Sequence, residues 1–291
     1  MLALIAGAGD LPRLLYEALD PKPCVAAMAG FEPQAIPVEM TFRIETLGGL
    51  IADLASRGVR DVCFAGSIQR PPLDPKQVDA ATLPLVPRML AALQQGDDAA
   101  LRIVLGFFEE TGIEVRAAHE VLPSLLPPPG VLSERQPDDQ ATADINRAVT
   151  VVDAMGVADL GQSCIVSRSQ VLAVEAVMGT DWMLDHLRVA RAKSSSNENG
   201  LSDESDAADE DALQPRVFPE PLRRGGVLYK APKPDQDLRV DMPVIGPSTV
   251  RGAAAALLDG IVIRAGSVMV LELEATVAAA NSAGLFLWVH E

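Results

Sequence analysis

Short apolar runs alternate with amphipathic segments over the first 125 residues. The apolar runs predict strands at 2–9, 24–30, 61–68 and 113–122. Between them, apolar residues recur at helical spacing and predict helices at 11–19, 47–57, 83–95 and 96–112. Strands that alternate with helices at this spacing predict a parallel, Rossmann-like α/β domain over 1–125.

A proline cluster at 125–130, LLPPPG, separates this region from one with a different pattern. Consecutive prolines fit neither a helix nor the interior of a sheet, so the cluster predicts a linker. Helical periodicity beyond it predicts helices at 141–156, 181–193, 247–260 and 274–284. Apolar runs predict two strands joined near 168–170, a strand at 226–232 and a β-hairpin at 261–273. The second domain is therefore predicted to be α+β, over 130–291.

One polar tract interrupts the second domain. Residues 194–214 hold seven acidic side chains and no basic one. Such a tract cannot bury enough apolar surface to offset the entropy of ordering it, so it predicts an acidic disordered loop. A calcium-binding loop is not favoured, because the DxDxDG spacing is absent. The net charge of −16 disfavours sequence-independent binding to nucleic acid.

Three features of the chain bear on its location in the cell. The apolar start has no basic region before it and stops at Asp10, unlike a signal peptide. No apolar run reaches the ~18–20 residues of a membrane span. The three cysteines lie far apart and form no CxxC pair, as expected in a reducing compartment. We therefore expect a cytoplasmic protein.

The turn after the first predicted strand is a candidate binding element. Gly7, Gly9 and Asp10 lie between a strand and a helix, where backbone N–H groups and the helix dipole can hold a phosphate. A tight turn without a ligand is the alternative. The dinucleotide motif G-x-G-x-x-G needs glycine at position 12, where Pro12 stands, so a nicotinamide-dependent oxidoreductase is disfavoured.

Four more polar residues lie on or after predicted strands. Arg70 follows the strand at 61–68, at the edge where open α/β sheets bind ligands, and either meets a phosphate or is a solvated side chain. Glu175 belongs to an alternating run and faces either a site or solvent. Thr180 and Asp181 follow a glycine, and for both of them capping of the next helix is the alternative to binding.

The segment 230–241, KAPKPDQDLRVD, mixes cations and carboxylates within twelve residues. Its charged residues are Lys230, Lys233, Asp235, Asp237, Arg239 and Asp241. Its prolines predict an extended backbone, which would place positions 235, 237, 239 and 241 on one face. Three carboxylates on one face repel unless a cation joins them, so Mg²⁺ or Mn²⁺ shared with a substrate phosphate is predicted. The basic side chains would neutralise the phosphate. A solvated charged loop is the alternative.

Five motifs, taken in order, resemble one family. They are LIAGAGDLP, FAGSIQRP, GDDAALR, GQSCIVSRSQVLAVEAVMGTD and KAPKPDQDLRVDMPVIGPSTV. They are similar to motifs of the UDP-2,3-diacylglucosamine pyrophosphatases of the LpxI type, which serve lipid A biosynthesis in Gram-negative bacteria. The resemblance covers nearly the whole chain. It implies metal-dependent hydrolysis to lipid X (2,3-diacylglucosamine 1-phosphate) and UMP, with water attacking the sugar-side phosphorus.

The resemblance also implies roles for individual residues. Asp237 is expected to bind the metal or to orient water, and Asp241 is the second expected metal ligand. Lys233 and Arg239 are the expected catalytic cations. The expected substrate-binding residues are Gly7, Gly9, Asp10, Arg70, Gln162, Glu175, Thr180, Asp181, Lys230 and Gln236. Met178 stands where family members more often carry an acidic residue, so no catalytic role is expected there.

Partners and cofactor follow from the same resemblance. It implies an acylated UDP-sugar lipid as substrate, Mg²⁺ or Mn²⁺ as cofactor and a homodimer formed through the C-terminal domain. It also allows peripheral contact with the inner-membrane surface. A non-catalytic nucleotide- or lipid-binding protein is the alternative, and tight ligand binding without release of UMP would distinguish it.

Overall fold

A computed structural model describes residues 1–68, 73–93, 97–196, 219, 222, 224–234 and 236–291. The chain divides into two compact units. Unit 1 consists of Met1–Leu125 and Gln236–Met242, and unit 2 consists of Leu126–Asp235 and Pro243–Glu291. Gln236–Met242, which lies within the predicted second domain of 130–291, belongs to unit 1. The physical reason is apolar packing, since Val240 lies against the hydrophobic core of unit 1.

Unit 1 is built on a five-stranded sheet. Its strands are β1 (Leu2–Ala6), β2 (Cys24–Met28), β3 (Met40–Phe42), β4 (Asp61–Ala65) and β5 (Glu114–Arg116). The strand order is β3-β2-β1-β4-β5, and all neighbouring strands are parallel. The order reverses between β1 and β4. Open α/β sheets bind ligands at the carboxyl ends of the strands at such a reversal.

Helices cover both faces of this sheet. They are α1 (Leu11–Ala18), α2 (Leu47–Ser56), α3 (Val86–Leu93), α4 (Asp97–Glu110) and the short α5 (Ala118–Val121). Leu50 and Leu54 of α2 share one core with Phe107 and Phe108 of α4. All five residues of β2 are buried, as expected for a parallel strand with helices on both sides.

Unit 2 is built on a six-stranded mixed sheet. Its strands are β6 (Gly130–Val131), β7 (Ser163–Ser167), β8 (Gln170–Val174), β9 (Val227–Lys230), β11 (Gly260–Arg264) and β13 (Phe286–His290). Their order is β6-β13-β11-β9-β7-β8. The central strands β13, β11 and β9 are parallel, and the outer strands pair antiparallel. Two short strands, β10 (Val244–Ile245) and β12 (Met269–Val270), form a separate parallel pair.

Four helices complete unit 2. They are α6 (Asp139–Val157), α7 (Gly179–Ser196), α8 (Pro247–Ala255) and α9 (Leu273–Ala283). On one face of the sheet, Ile145 of α6 packs in a cluster with Tyr229. On the other face, Leu184 of α7 and Val250 of α8 pack in a cluster with Ile261. Among the described residues, no helix has both the length and the hydrophobicity needed to cross a bilayer.

The predicted α/β class is confirmed, and most predicted helices and strands form. The strand predicted at 113–122 stops at Arg116, and Ala118–Val121 is helical. The predicted β-hairpin at 261–273 is wrong, because β11 pairs with β9 and β13 while β12 pairs with β10. Strands β3, β6, β10 and β13 are additional to the prediction. An apolar run alone does not reveal which partner a strand chooses.

Candidate functional site

The turns after β1 and β4 lie against each other at the carboxyl edge of the sheet in unit 1. The backbone N–H of Gly7 donates to the carbonyl of Ala65 at 2.8 Å, and Ala8 and Ser67 exchange hydrogen bonds of 2.9 and 2.8 Å. A Cβ atom at Gly7 would stand 2.6 Å from the carbonyl oxygen of Ser67. Glycine is therefore required at position 7 by the close approach of the neighbouring turn.

This contact limits how the turn can bind a phosphate. The N–H groups of Gly7 and Ala8 are already used, and Pro12 has none. Gly9 and Asp10 keep the predicted position, exposed at the N-terminus of α1. Gly9 has φ 103°, and the Asp10 side chain makes no capping hydrogen bond. Any phosphate at this turn would thus rely on the N–H groups that follow Ala8.

Residues 237–241 form a turn, so the extended backbone predicted for this part of the segment is wrong. The N–H groups of Val240 and Asp241 both donate to the carbonyl of Asp237, at 3.1 and 3.0 Å. The Asp237 side chain accepts from the N–H of Arg239 at 3.1 Å. An aspartate that binds the backbone two residues later favours a turn, and this stretch contains no proline to oppose it. Positions 237, 239 and 241 therefore do not lie on one face of an extended chain, as had been predicted.

Asp237, Arg239 and Glu109 form an ion-pair cluster in unit 1. Arg239 Nε and Nη2 donate to the two oxygens of Asp237 at 2.9 and 2.7 Å, and Nη1 donates to Glu109 at 2.6 Å. The hydrogen bonds from Arg239 lower the pKa of Asp237 below its ordinary value of 3.8, although burial opposes them. The same pairing raises the pKa of Arg239. Glu109 lies on α4. The sequence analysis did not identify it, because an acidic residue on a helix does not by itself indicate a functional role.

The two carboxylates predicted to bind a metal do not fit one in this arrangement. Both oxygens of Asp237 accept hydrogen bonds from Arg239, whose positive charge opposes a second cation. One oxygen of Asp241 accepts from Gln236 Nε2 at 2.7 Å. Within the described ranges, no three His, Cys, Asp or Glu side chains converge as metal ligands. Asp235, the third predicted carboxylate, lies outside the described residues.

Four side chains of unit 2 form a buried chain of hydrogen bonds, here called the Lys230 network. Lys230 Nζ donates to Thr180 Oγ1 at 3.0 Å, and Thr180 Oγ1 donates to Glu175 Oε2 at 3.0 Å. Ser163 Oγ donates to the same Glu175 oxygen at 2.5 Å. The exposed fractions are 0% for Ser163, 7% for Lys230 and 8% for Glu175 and Thr180. The structure thus joins three residues that the sequence analysis had singled out separately.

The chemistry of these groups fixes the direction of each hydrogen bond. A threonine hydroxyl has one proton, and Thr180 gives it to Glu175, so its lone pairs face the ammonium of Lys230. Glu175 accepts from the hydroxyls of Thr180 and Ser163. The network therefore joins a buried cation to a buried anion through a neutral hydroxyl, and this lowers the cost of burying both charges.

Backbone geometry explains why these residues meet. Ser163 begins β7 and Lys230 ends β9, and the antiparallel register places the two residues opposite each other. The N–H of Glu175 donates to the carbonyl of Ser163 at 2.9 Å. A Cβ atom at Gly161 would stand 2.3 Å from the Glu175 carbonyl, so only glycine fits there. Ser163 carried no sequence signal of its own, because its role depends on this pairing.

The other predicted residues of unit 2 lie in varied surroundings. Lys233 Nζ donates to Asp159 at 2.7 Å, in a pair whose aspartate is 73% exposed. The backbone carbonyl of Gln162 accepts from the N–H of Ala231 at 3.0 Å. Asp181 is exposed in the first turn of α7. Both Thr180 and Asp181 lie inside α7, so the alternative that either residue caps the helix is not seen.

The segment 230–241 is divided between the two units. Lys230 and Lys233 belong to unit 2, whereas Gln236 and the residues after it, to position 242, belong to unit 1. Arg70 lies outside the described residues. Residues 197–214, which make up most of the predicted acidic disordered loop, also lie outside them.

Unit 2 also contains a cavity of ≈ 550 Å³ at the amino ends of β9 and β11. Lys230 lies at the opposite, carboxyl end of β9, and none of the described predicted residues lines this cavity. Two aspartates that line the cavity, Asp144 and Asp259, accept hydrogen bonds from backbone N–H groups. Asp144 accepts from the N–H groups of Arg168 and Ser169 at 3.0 and 2.6 Å, and Asp259 accepts from that of Gly226 at 2.8 Å.

These features define a two-unit α/β protein with a parallel sheet in its first unit and a buried lysine network in its second. The sequence matches the LpxI N-terminal domain over residues 1–125 and the LpxI C-terminal domain over residues 128–288. The chain therefore belongs to the LpxI family, as its motifs predicted. It is similar to UDP-2,3-diacylglucosamine pyrophosphatase LpxI of Caulobacter vibrioides, with 38% identity over 98% of this chain and 96% of that protein.

Proposed function

We propose that this protein hydrolyses the pyrophosphate bond of UDP-2,3-diacylglucosamine to lipid X and UMP, in lipid A biosynthesis. The observation that carries the proposal is the 38% identity to UDP-2,3-diacylglucosamine pyrophosphatase LpxI over 98% of the chain. Water adds across the P–O–P bond, so one phosphorus gains the new oxygen and the other leaves with the bridging oxygen. We place the attack at the sugar-side phosphorus, which makes UMP the leaving group.

Lys230 is the proposed phosphate-binding cation of unit 2. Charge develops on phosphate oxygens as the bridging bond breaks, and a positioned cation lowers the energy of that state. An ammonium that is 7% exposed interacts more strongly with such charge than one in bulk water. Thr180, Glu175 and Ser163 would hold this ammonium in place. Gln162 and Asp181 remain proposed substrate contacts of the same unit.

Asp237, Asp241, Arg239 and Lys233 are the proposed catalytic residues. Asp237 is ionised at neutral pH, and the hydrogen bonds from Arg239 lower its pKa further. Arg239 carries donors that match phosphate oxygens. Metal dependence rests on the resemblance alone. Because Asp237 is paired with Arg239 in the described arrangement, we assign no reaction step to Mg²⁺ or Mn²⁺. Removal of divalent ions by a chelator, followed by their return, tests that part of the proposal.

Unit 1 is the proposed nucleotide-binding, Rossmann-like unit. Its all-parallel order, β3-β2-β1-β4-β5, supports this assignment, and the turn of Gly9 and Asp10 lies where the order reverses. Gly7 would act by shaping that turn, because its own N–H is used. Arg70 follows the neighbouring strand in sequence and remains a proposed phosphate contact. Gln236, which binds Asp241, completes the proposed substrate-binding residues.

The cellular setting is also part of the proposal. We propose a cytoplasmic enzyme that acts on an acylated UDP-sugar lipid and forms a homodimer through its C-terminal domain. A substrate with two acyl chains would be held at the inner-membrane surface, so peripheral contact with that surface is proposed as well.

The test is release of UMP from UDP-2,3-diacylglucosamine by the purified protein in water labelled with ¹⁸O. The proposal predicts UMP without label and lipid X with one labelled phosphate oxygen. Label found in UMP would mean that water attacks the uridine-side phosphorus, and it would contradict the proposed attack at the sugar-side phosphorus. Tight ligand binding with no UMP released, with either metal present, would contradict the proposal and support the non-catalytic binding protein.

A further inference from the structure

The turn between β7 and β8 has a backbone conformation that its sequence does not favour. Ser167 pairs with Gln170, so only Arg168 and Ser169 lie between the two strands. The φ angles of these two residues are 50° and 63°. A two-residue turn with positive φ at both positions favours asparagine and glycine, because most other residues adopt positive φ at a cost. Contacts from outside the turn must therefore hold it.

A buried carboxylate on helix α6 provides those contacts. Asp144 is 2% exposed, and it accepts from the N–H of Arg168 at 3.0 Å and from the N–H of Ser169 at 2.6 Å. Hydrogen bonds to a carboxylate are stronger than those between neutral groups. The next residue, Ile145, is fully buried in one cluster with Val166 of β7. Packing of α6 on the sheet thus fixes Asp144 beside the turn.

The pairing of β7 with β8 shifts by one residue between the turn and the far end of the hairpin. Val166 lies opposite Val171, whereas Ile165 lies opposite Ala173. Leu172 is therefore an extra residue, which makes a β-bulge. Successive side chains of a strand point to opposite faces, so a shift of one residue decides which side chains of β8 share a face with those of β7.

The shift brings Glu175 to the Lys230 network. The N–H of Glu175 donates to the carbonyl of Ser163 at 2.9 Å, and Ser163 lies opposite Lys230 of β9. Without the bulge, the pairing next to the turn would place Val174 beside Ser163. Glu175 would then point to the other face of the sheet. The position of this carboxylate consequently depends on the register of β8, which begins at the turn.

We propose that Asp144 is a positioning residue for the hydrolysis of UDP-2,3-diacylglucosamine. The inference rests on the proposed function, in which Lys230 binds a phosphate of the substrate. Asp144 lies at the opposite end of the hairpin and acts by holding β8 in the register that brings Glu175 into the Lys230 network. A displacement of a substrate-binding group by about 1 Å can lower a rate by about 100-fold, even when the substitution is remote.

Asp144→Ala tests the proposal with two measurements. The first is kcat for UMP release, which should fall by about tenfold or more. The second is hydrogen exchange of the Glu175 amide relative to that of Leu228, a fully buried residue of β9. This ratio should rise by about tenfold or more, because loosening of the hairpin opens β8 without unfolding the centre of the sheet.

Asp138→Ala is the matched control. Asp138 is the N-cap of α6, and its side chain accepts from the N–H of Ala141 at 2.8 Å. Its loss destabilises the same helix but leaves the turn between β7 and β8 in place. We expect kcat and the exchange ratio of this variant to match those of the parent. Equal losses of kcat in the two variants would show that Asp144 merely stabilises α6, and would overturn the proposal.

A rescue variant supplies the turn by sequence instead. Asp144→Ala combined with Arg168→Asn and Ser169→Gly has the residues that this turn favours, so kcat should return to within about threefold of the parent. Absence of rescue, or an Asp144→Ala variant with the kcat of the parent, would contradict the proposal. Hydrogen exchange needs no substrate. A parent that releases no UMP would therefore refute the proposed function, whereas an unchanged exchange ratio in Asp144→Ala would refute the role of Asp144.

Discussion

The chain holds charge in two different ways in its two units. In unit 1, Asp237 and Arg239 lie two positions apart and neutralise each other directly, with the Arg239 side chain 41% exposed. In unit 2, Lys230 is 7% exposed and is joined to Glu175 through the hydroxyl of Thr180. The first arrangement is local in sequence and open to water. The second is assembled from distant positions and is buried.

The difference bears on how each charge would meet a phosphate. A guanidinium that grips both oxygens of a carboxylate has satisfied its strongest partner, and surface pairs of this kind contribute little to stability. A hydrogen bond to a neutral hydroxyl does not cancel the charge of an ammonium. In the proposed function, Lys230 is the phosphate contact of unit 2, whereas a phosphate that meets Arg239 would have to compete with Asp237 for its donors.

The largest effect is expected from Lys230→Met. This variant keeps the length of the side chain and removes its charge, so turnover of UDP-2,3-diacylglucosamine should fall by at least about 100-fold. Lys233→Met is the comparison, because Lys233 is already paired with Asp159 near the surface. The loss of turnover in Lys233→Met should be smaller than that in Lys230→Met by about tenfold. Rates of UMP release measure both, and equal losses would remove the distinction between the two lysines.

A smaller effect is expected from Thr180→Val, which has nearly the same shape as threonine but no hydroxyl. The change leaves Lys230 and Glu175 without their common partner, and should lower the free energy of unfolding by about 1–3 kcal/mol. Thr180→Ser retains the hydroxyl and should cost less than about 1 kcal/mol. Urea denaturation of the three proteins gives these values. A serine variant as unstable as the valine variant would show that packing, and not the hydrogen bond, matters at this position.

The smallest effect is expected from Arg239→Gln. The guanidinium lowers the pKa of Asp237, so the variant should bring that pKa back toward 3.8. A depressed pKa stabilises the folded state above the unfolded value, and this contribution disappears as pH falls through the folded value. Since Arg239 is partly exposed, the stability change at pH 7 should be less than about 1 kcal/mol.

Glu109→Gln is the control for that experiment, because it leaves both hydrogen bonds between Arg239 and Asp237 in place. An NMR titration of the Asp237 carboxyl group follows each protein. A Glu109 variant that shifts the Asp237 pKa as far as Arg239→Gln does would show that the three residues act as one unit.

The local pattern of the sequence predicts elements better than it predicts their pairing. Strand β1 and helix α2 follow directly from apolar runs and helical spacing. The predicted hairpin at 261–273 failed because β11 finds its neighbours at Val227–Lys230 and Phe286–His290. Parallel partners lie far along the chain, and no local signal identifies them.

The candidate site shows the same limit. Lys230, Glu175 and Thr180 each stood out from the sequence, but their contact depends on the register of β7 with β9 and on the start of α7. Ser163 could be found only from that register. For the segment around Asp237 the prolines suggested an extended chain, whereas hydrogen bonds made by the aspartate itself turned the backbone.

The most direct test of the account is a double-mutant cycle on Lys230 and Thr180, measured as kcat/KM for UMP release. Both hydrogen-bonding roles of the Thr180 hydroxyl are used inside the Lys230 network, so it should act on the substrate only through Lys230. We predict that Lys230→Met with Thr180→Val is no slower than Lys230→Met alone, to within about twofold. Losses that multiply would contradict the account, because Thr180 would then contribute to the reaction independently of the lysine.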